Sequence, residues 1–188
     1  MLKSLHLCET HRWHVRRYRT LRFQPGLNLL IGPNGTGKST ILRSIAGCPD
    51  CRRNEEGETD YVFFDSESMN PKRTDRPIRD PTEMKLHLRS LFSSHGEILR
   101  AAFSSLRMKP TTCLLFDEPE SGQDFDHVLQ LRAAIDRAVA RGVQAIVATH
   151  DVMLWERATI VELRRGYRRR ITEALCKMRC LHPPHCPP

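Results

Sequence analysis

GLNLLIGPNGTGKST, running from Gly26 to Thr40, organises the reading of this chain. Leu27, Leu29, Leu30 and Ile31 form an apolar run of the kind a buried strand needs, and Lys38, Ser39 and Thr40 open an amphipathic helix. Between them Gly32, Pro33, Asn34, Gly35, Thr36 and Gly37 make a loop that fits G-x-x-x-x-G-K-[ST] in strand-loop-helix context. Glycine lets consecutive backbone N–H groups curl around phosphate oxygens, and a helix N-terminus adds partial positive charge there. The pattern therefore predicts nucleotide binding by residues 32–40, with Lys38 reaching the terminal phosphates and the Ser39 hydroxyl holding Mg²⁺.

A chain of 188 residues suits one α/β domain with small additions. No apolar run approaches the roughly 20 residues that span a bilayer, and the N-terminus MLKSLHLCETHRWH has no signal-type segment. The expectation is a soluble, cytoplasmic protein without direct membrane insertion. The net charge of +8 gathers at the ends: Arg12, Arg16, Arg17, Arg19 and Arg22 near one, and Arg164, Arg165, Arg168, Arg169, Arg170 and Arg179 near the other. Such termini suit a polyanion such as nucleic acid, or are simply two solvated faces. The seven cysteines read as reduced thiols rather than a disulfide framework. Cys48 and Cys51 form a C-x-x-C, and Cys176, Cys180, His182, His185 and Cys186 lie in the tail. Four ligands for Zn²⁺ could come from these, although the tail spacing is irregular and the two groups are far apart in sequence.

Alternation in LKSLHL and, less cleanly, in WHVRRYRTLRF predicts an N-terminal strand or hairpin, turned at Pro25-Gly26 into the strand that feeds the loop. A helix from Lys38 to about Ala46 ends at Gly47 and Pro49, and residues 48–60 read as a polar loop. Tyr61 to Phe64 is a short buried strand; 66–81 reads as an exposed loop or lid, and 82–107 as helices. Thr111 to Phe116 and Val143 to Ala148 are further strands around a helix at 126–140, and Thr159 to Ile171 suggests a hairpin. The fold class is α/β: a mostly parallel sheet with an antiparallel N-terminal portion and a small helical insertion at about 66–107. The domain spans 1–171, and a basic, Cys/His/Pro-rich tail covers 172–188.

A second motif, Cys113 to Glu120, reads CLLFDEPE. Its apolar strand delivers Asp117 to the C-terminal edge, where the carboxylate can hold Mg²⁺ opposite Ser39. Glu118 follows and can polarise an attacking water. At the end of the next strand Thr149-His150-Asp151 offers a histidine to sense the γ-phosphate and orient that water.

GPNGTGKST, LLFDEPESGQD and THD together resemble the Walker A, Walker B with D-loop, and switch-histidine motifs of ABC-type ATPases, in an order covering roughly residues 1–171. FQPGLNLLIGPNGTGKST is more similar to RecF and structural-maintenance-of-chromosomes heads, and to small stand-alone AAA family ATPases, than to transporter subunits. The resemblance implies a P-loop NTPase that binds ATP and Mg²⁺ and hydrolyses ATP, with Glu118 and His150 catalytic. It also implies a homodimer or heterodimer that sandwiches ATP. The signature motif matches best at residues 92–97, with Ser94 and Gly96 meeting the partner's nucleotide and His95 replacing a glycine. Glu67 or Asp65 stands where the family has a Q-loop glutamine, Trp13, Tyr18 and Phe23 are candidates for adenine stacking, and Asp124 resembles the D-loop aspartate. The implied output is mechanical work on nucleic acid or a partner protein in repair or defence. The alternatives are the ATP-binding subunit of a membrane transporter and a nucleotide-dependent switch without turnover.

Overall fold

β3 (Leu27–Ile31) is buried along its whole length, as a strand covered on both faces must be. In the computed structural model, which describes residues 1–15, 18–65 and 109–181, it belongs to a five-stranded sheet. Its companions are β5 (Asp60–Asp65), β6 (Thr112–Asp117), β7 (Gln144–Ala148) and β8 (Thr159–Glu162). The spatial order is β5-β6-β7-β3-β8, and every neighbouring pair is parallel. Parallel pairing puts all the strand C-termini at one edge, where the phosphate loop, Asp117 and Thr149 emerge.

Successive side chains alternate between two cores. Leu30, Leu115 and Ile146 pack with Ile41, Leu42 and Ile45 of α2 (Lys38–Gly47). Leu29, Phe116 and Val147 pack with Val128, Leu131 and Ile135 of α3 (Phe125–Val139). Phe116 stacks on Phe64 with ring centroids 4.8 Å apart, tying β6 to β5.

The antiparallel portion is a separate three-stranded sheet in which β1 (Leu2–His6) lies between β2 (Thr20–Arg22) and β4 (Arg52–Glu55). Leu2, Leu5 and Leu21 add their apolar face to the core beneath α2. Gln144, fully buried on β7, joins the two sheets. Its Oε1 accepts from the Leu2 backbone N–H at 2.9 Å, and its Nε2 donates to the Leu2 and Gln24 carbonyls at 2.9 Å each.

Three sequence expectations change. Glu9–Val15 is a helix, α1, so WHV does not continue a strand. Residues 52–55, expected as loop, are β4; their polar side chains suit an edge strand exposed along most of its length, and pairing with β1 supplies the stabilisation that composition does not announce. The expected C-terminal hairpin is instead β8, parallel to β3, followed by α4 (Tyr167–Leu181). Arg164-Arg165-Gly166 is thus the turn from strand to helix, and the expected boundary at residue 171 falls within α4. The insertion at 66–107 lies outside the described residues, as do Glu67, Ser94, His95, Gly96, His182, His185 and Cys186.

Candidate nucleotide site

The loop after β3 takes the backbone shape its glycines permit. Gly37, at φ 88°, is the residue from which α2 starts, and a Cβ there would lie 2.9 Å from the Val15 side chain. Two constraints, a left-handed backbone and contact with α1, thus select glycine at this position. Thr36 closes the loop on itself, its hydroxyl donating to the Pro33 carbonyl at 2.8 Å. The first-turn N–H groups of α2 have no carbonyl a turn earlier in the helix to bond, so they add to the positive end of its dipole.

A cavity of about 420 Å³ opens over this loop, walled by Asn34, Gly35, Gly37, Lys38, Ser39 and Thr40, with Glu118 and His14 beside them. Lys38 is buried, its Nζ donating to the Gly32 carbonyl at 3.3 Å, 2.6 Å from His150 Nε2 and 3.8 Å from Glu118 Oε1. His150 Nε2 is 3.4 Å from the same carboxylate oxygen. Burial lowers the Lys38 pKa, opposed by the nearby carboxylates of Glu118, Asp117 and Glu120. The Ser39 hydroxyl donates to Asp117 Oδ1 at 2.8 Å. These are hard oxygen donors of the kind Mg²⁺ prefers, facing each other beside the loop, so the pair fits such an ion.

The chain therefore brings together Lys38, Ser39, Asp117, Glu118 and His150, which come from three separate strand ends. Glu118 adopts φ 48°, unusual for a residue with a side chain, which turns the backbone sharply after β6. Asp65, at the end of β5, is the backbone partner of Asp117 in register. Among the adenine-stacking candidates, Phe23 is buried in the core and the Tyr18 hydroxyl donates to the Glu162 carbonyl, while Trp13 is exposed on α1. His14, singled out by no sequence pattern, lines the cavity instead. Asp124 caps α3, accepting from the His127 N–H at 2.9 Å.

Glu120 closes the stretch CLLFDEPE, where the sequence alone assigns it no chemistry. One of its carboxylate oxygens accepts from the Thr149 hydroxyl at 2.6 Å and from the His150 N–H at 2.9 Å. It thus ties the turn after β6 to the turn that carries His150. Nothing in a local motif reveals this link, because the partners are separated by α3 and β7.

The chain is similar to known proteins over much of its length. A family model described as an AAA domain matches residues 4–85. The cytochrome c biogenesis ATP-binding export protein CcmA of Gluconobacter oxydans is 31% identical over 144 residues, covering 65% of this chain and 67% of that protein. The protein of the same name from Maricaulis maris is 29% identical over 176 residues, covering 77% of this chain and 82% of the relative. A solved structure of a putative ABC transporter ATP-binding protein from Pyrococcus furiosus shares the fold, with a TM-score of 0.50 at 15% identity over 77% of this chain and 88% of that one. With a phosphate loop, an acid-bearing strand and a histidine turn assembled at one sheet edge, the chain belongs to the ABC-type P-loop ATPases, which bind and hydrolyse ATP.

Proposed function

We propose that this chain is the ATP-hydrolysing subunit of a membrane export or transport system and works as a dimer with ATP held between subunits. The convergence of Lys38, Glu118 and His150, within 3.8 Å of one another beside the phosphate loop, carries the catalytic part. Residues 32–40 bind the phosphates, with Lys38 countering their charge. Ser39 and Asp117 hold Mg²⁺, which when bound neutralises charge on the phosphate oxygens. Glu118 takes up or polarises the proton of the attacking water, and His150, steadied by Glu120, holds that water in line. Ser94 and Gly96 meet the nucleotide of the partner subunit. The output favoured by the relatives, whose names are those of export and transport proteins, is work on a membrane partner. Work on nucleic acid in repair or defence has as its support only the basic character of the termini.

Glu118→Gln removes the general base and keeps the side chain's shape, so ATP should hold the variant as a dimer on size-exclusion chromatography while phosphate release falls at least about 100-fold. A variant that stays monomeric with ATP would overturn the sandwich. Copurification with an integral membrane protein supports the transport reading. ATPase stimulation by DNA, steeply weakened by salt, would overturn it in favour of nucleic acid.

A further inference from the structure

Cys48 and Cys51 find their companions at the other end of the chain from the cysteine-rich tail. Cys8 follows β1, His11 lies in the first turn of α1, Cys48 caps the C-terminus of α2, and Cys51 directly precedes β4. The sulfurs of Cys8, Cys48 and Cys51 and one His11 ring nitrogen all lie within 4.8 Å of one another. His11 Nδ1 is 3.2 Å from Cys8 Sγ and 3.4 Å from Cys51 Sγ. A zinc ion bound at about 2.3 Å from sulfur and 2.0–2.1 Å from nitrogen puts the corners of its tetrahedron about 3.5–3.8 Å apart, so small movements bring these four donors onto one ion. The sequence spacing, C-x-x-H followed by C-x-x-C, is that of paired ligand turns.

We infer that Cys8, His11, Cys48 and Cys51 form a structural Zn²⁺ site. The donor set is closed, with four protein ligands and no position reserved for water, and soft thiolates with one imidazole select zinc over Mg²⁺ or Ca²⁺. The four atoms are also too close together to surround an iron–sulfur cluster, whose cysteines bind separate irons. Outer contacts suit thiolate ligands: the Cys8 backbone N–H donates to Cys51 Sγ at 3.4 Å, and the N–H groups of Asp50 and Cys51 face the Cys48 sulfur. Cys51 is buried, and Cys8 and Cys48 are half-buried, so the site sits under the surface.

The place of the site gives it a task. α1 is seven residues long and buries only Val15, too little for such a helix to hold its position by itself. The metal would fasten its first turn to the end of α2. Its last turn then presses Val15 against Gly37 and sets His14 beside the phosphate-loop cavity. The clamp is separate from the ATP site but holds one wall of it. In this assignment Cys8 and His11, rather than residues of the tail, complete the set with Cys48 and Cys51; Cys176 is exposed on α4.

Protein purified without added metal should carry about one zinc per chain by inductively coupled plasma mass spectrometry. Cys8, Cys48 and Cys51 should resist alkylation until a chelator is added, whereas exposed Cys176 reacts at once. Cys8→Ser with Cys51→Ser should reduce zinc to near zero, and Cys176→Ser with Cys180→Ser should leave it unchanged. If the first double variant does not fold, Co²⁺ added to chelated wild-type chain provides the second measurement: thiolate-to-metal charge transfer and tetrahedral ligand-field bands are expected, altered in His11→Asn. A native chain without zinc whose three thiols are alkylated immediately would overturn the assignment. So would a disulfide among Cys8, Cys48 and Cys51, or zinc that follows the tail cysteines.

Discussion

Lys38 carries its charge into a place where only 5% of the residue is exposed, and burial outweighs the carboxylates in setting its pKa below 10.5. A lysine with a lowered folded-state pKa costs stability while it is protonated, and that cost fades as pH rises through the lowered pKa toward the unfolded value. Lys38→Met should therefore abolish ATP binding and yet leave the Tm at or above that of the parent chain. Scanning fluorimetry across pH should show the gap narrowing toward pH 10.5. A Tm that falls instead would make the ammonium a structural tie. Lys38, Ser39, Asp117 and Glu118 were legible from sequence as candidates because each lies in a short motif whose chemistry depends on neighbours along the chain. Glu120 and His14 were not, because what gives each a place is a contact across the fold.

At the scale of the element, α3 is capped by Asp124, the residue whose sequence context resembles a D-loop aspartate. Its carboxylate is held below the ordinary range first by the His127 backbone N–H and then by the His127 ring, 2.7 Å away. That is the geometry of an N-cap, which satisfies helix donors that have no partner in the preceding turn. A depressed carboxylate pKa contributes stability above the unfolded value, and the contribution is lost as pH falls through the folded value. Asp124→Ala should thus unfold at lower urea concentration than the parent at pH 7, with the difference disappearing well below pH 3.8. A deficit that persists in acid would mean that the side chain acts by something other than its charge. The strands β3, β6 and β7 were evident because both faces are buried and the sequence is apolar throughout. β4 was hidden because an exposed edge strand carries no hydrophobic pattern, and α1 because seven residues hold too few turns to display a period.

For the whole molecule, one amide hydrogen-bonds the two sheets to each other inside the apolar core they share. Gln144 satisfies the Leu2 N–H, the Leu2 carbonyl and the Gln24 carbonyl inside the core. Gln144→Leu would take this partner from the buried Leu2 N–H and carbonyl, while the Gln24 carbonyl keeps the Asn28 amide, at a cost of about 2–4 kcal/mol. At this chain length that lowers the Tm by roughly 4–15 °C, measurable by calorimetry. Amide exchange should rise first in β1, and uniform exchange across both sheets would argue against this role. Gln144 could not be read from sequence as a joint, since a glutamine at the start of an apolar strand has the same appearance when it faces solvent.

What the sequence by itself determined is the chemistry of the phosphate loop, the acid pair after β6 and the histidine after β7. Backbone turns and strand ends place those groups wherever a parallel sheet forms, and the apolar runs that make the sheet are continuous in the chain. Tertiary structure alone decided which distant groups meet: Glu120 with Thr149 and His150, Gln144 with Leu2, and Cys8 and His11 with Cys48 and Cys51. The first pairing depends on β6 and β7 lying side by side in one sheet and the others on how the two sheets and the helices pack, and no local period or spacing associates any of them.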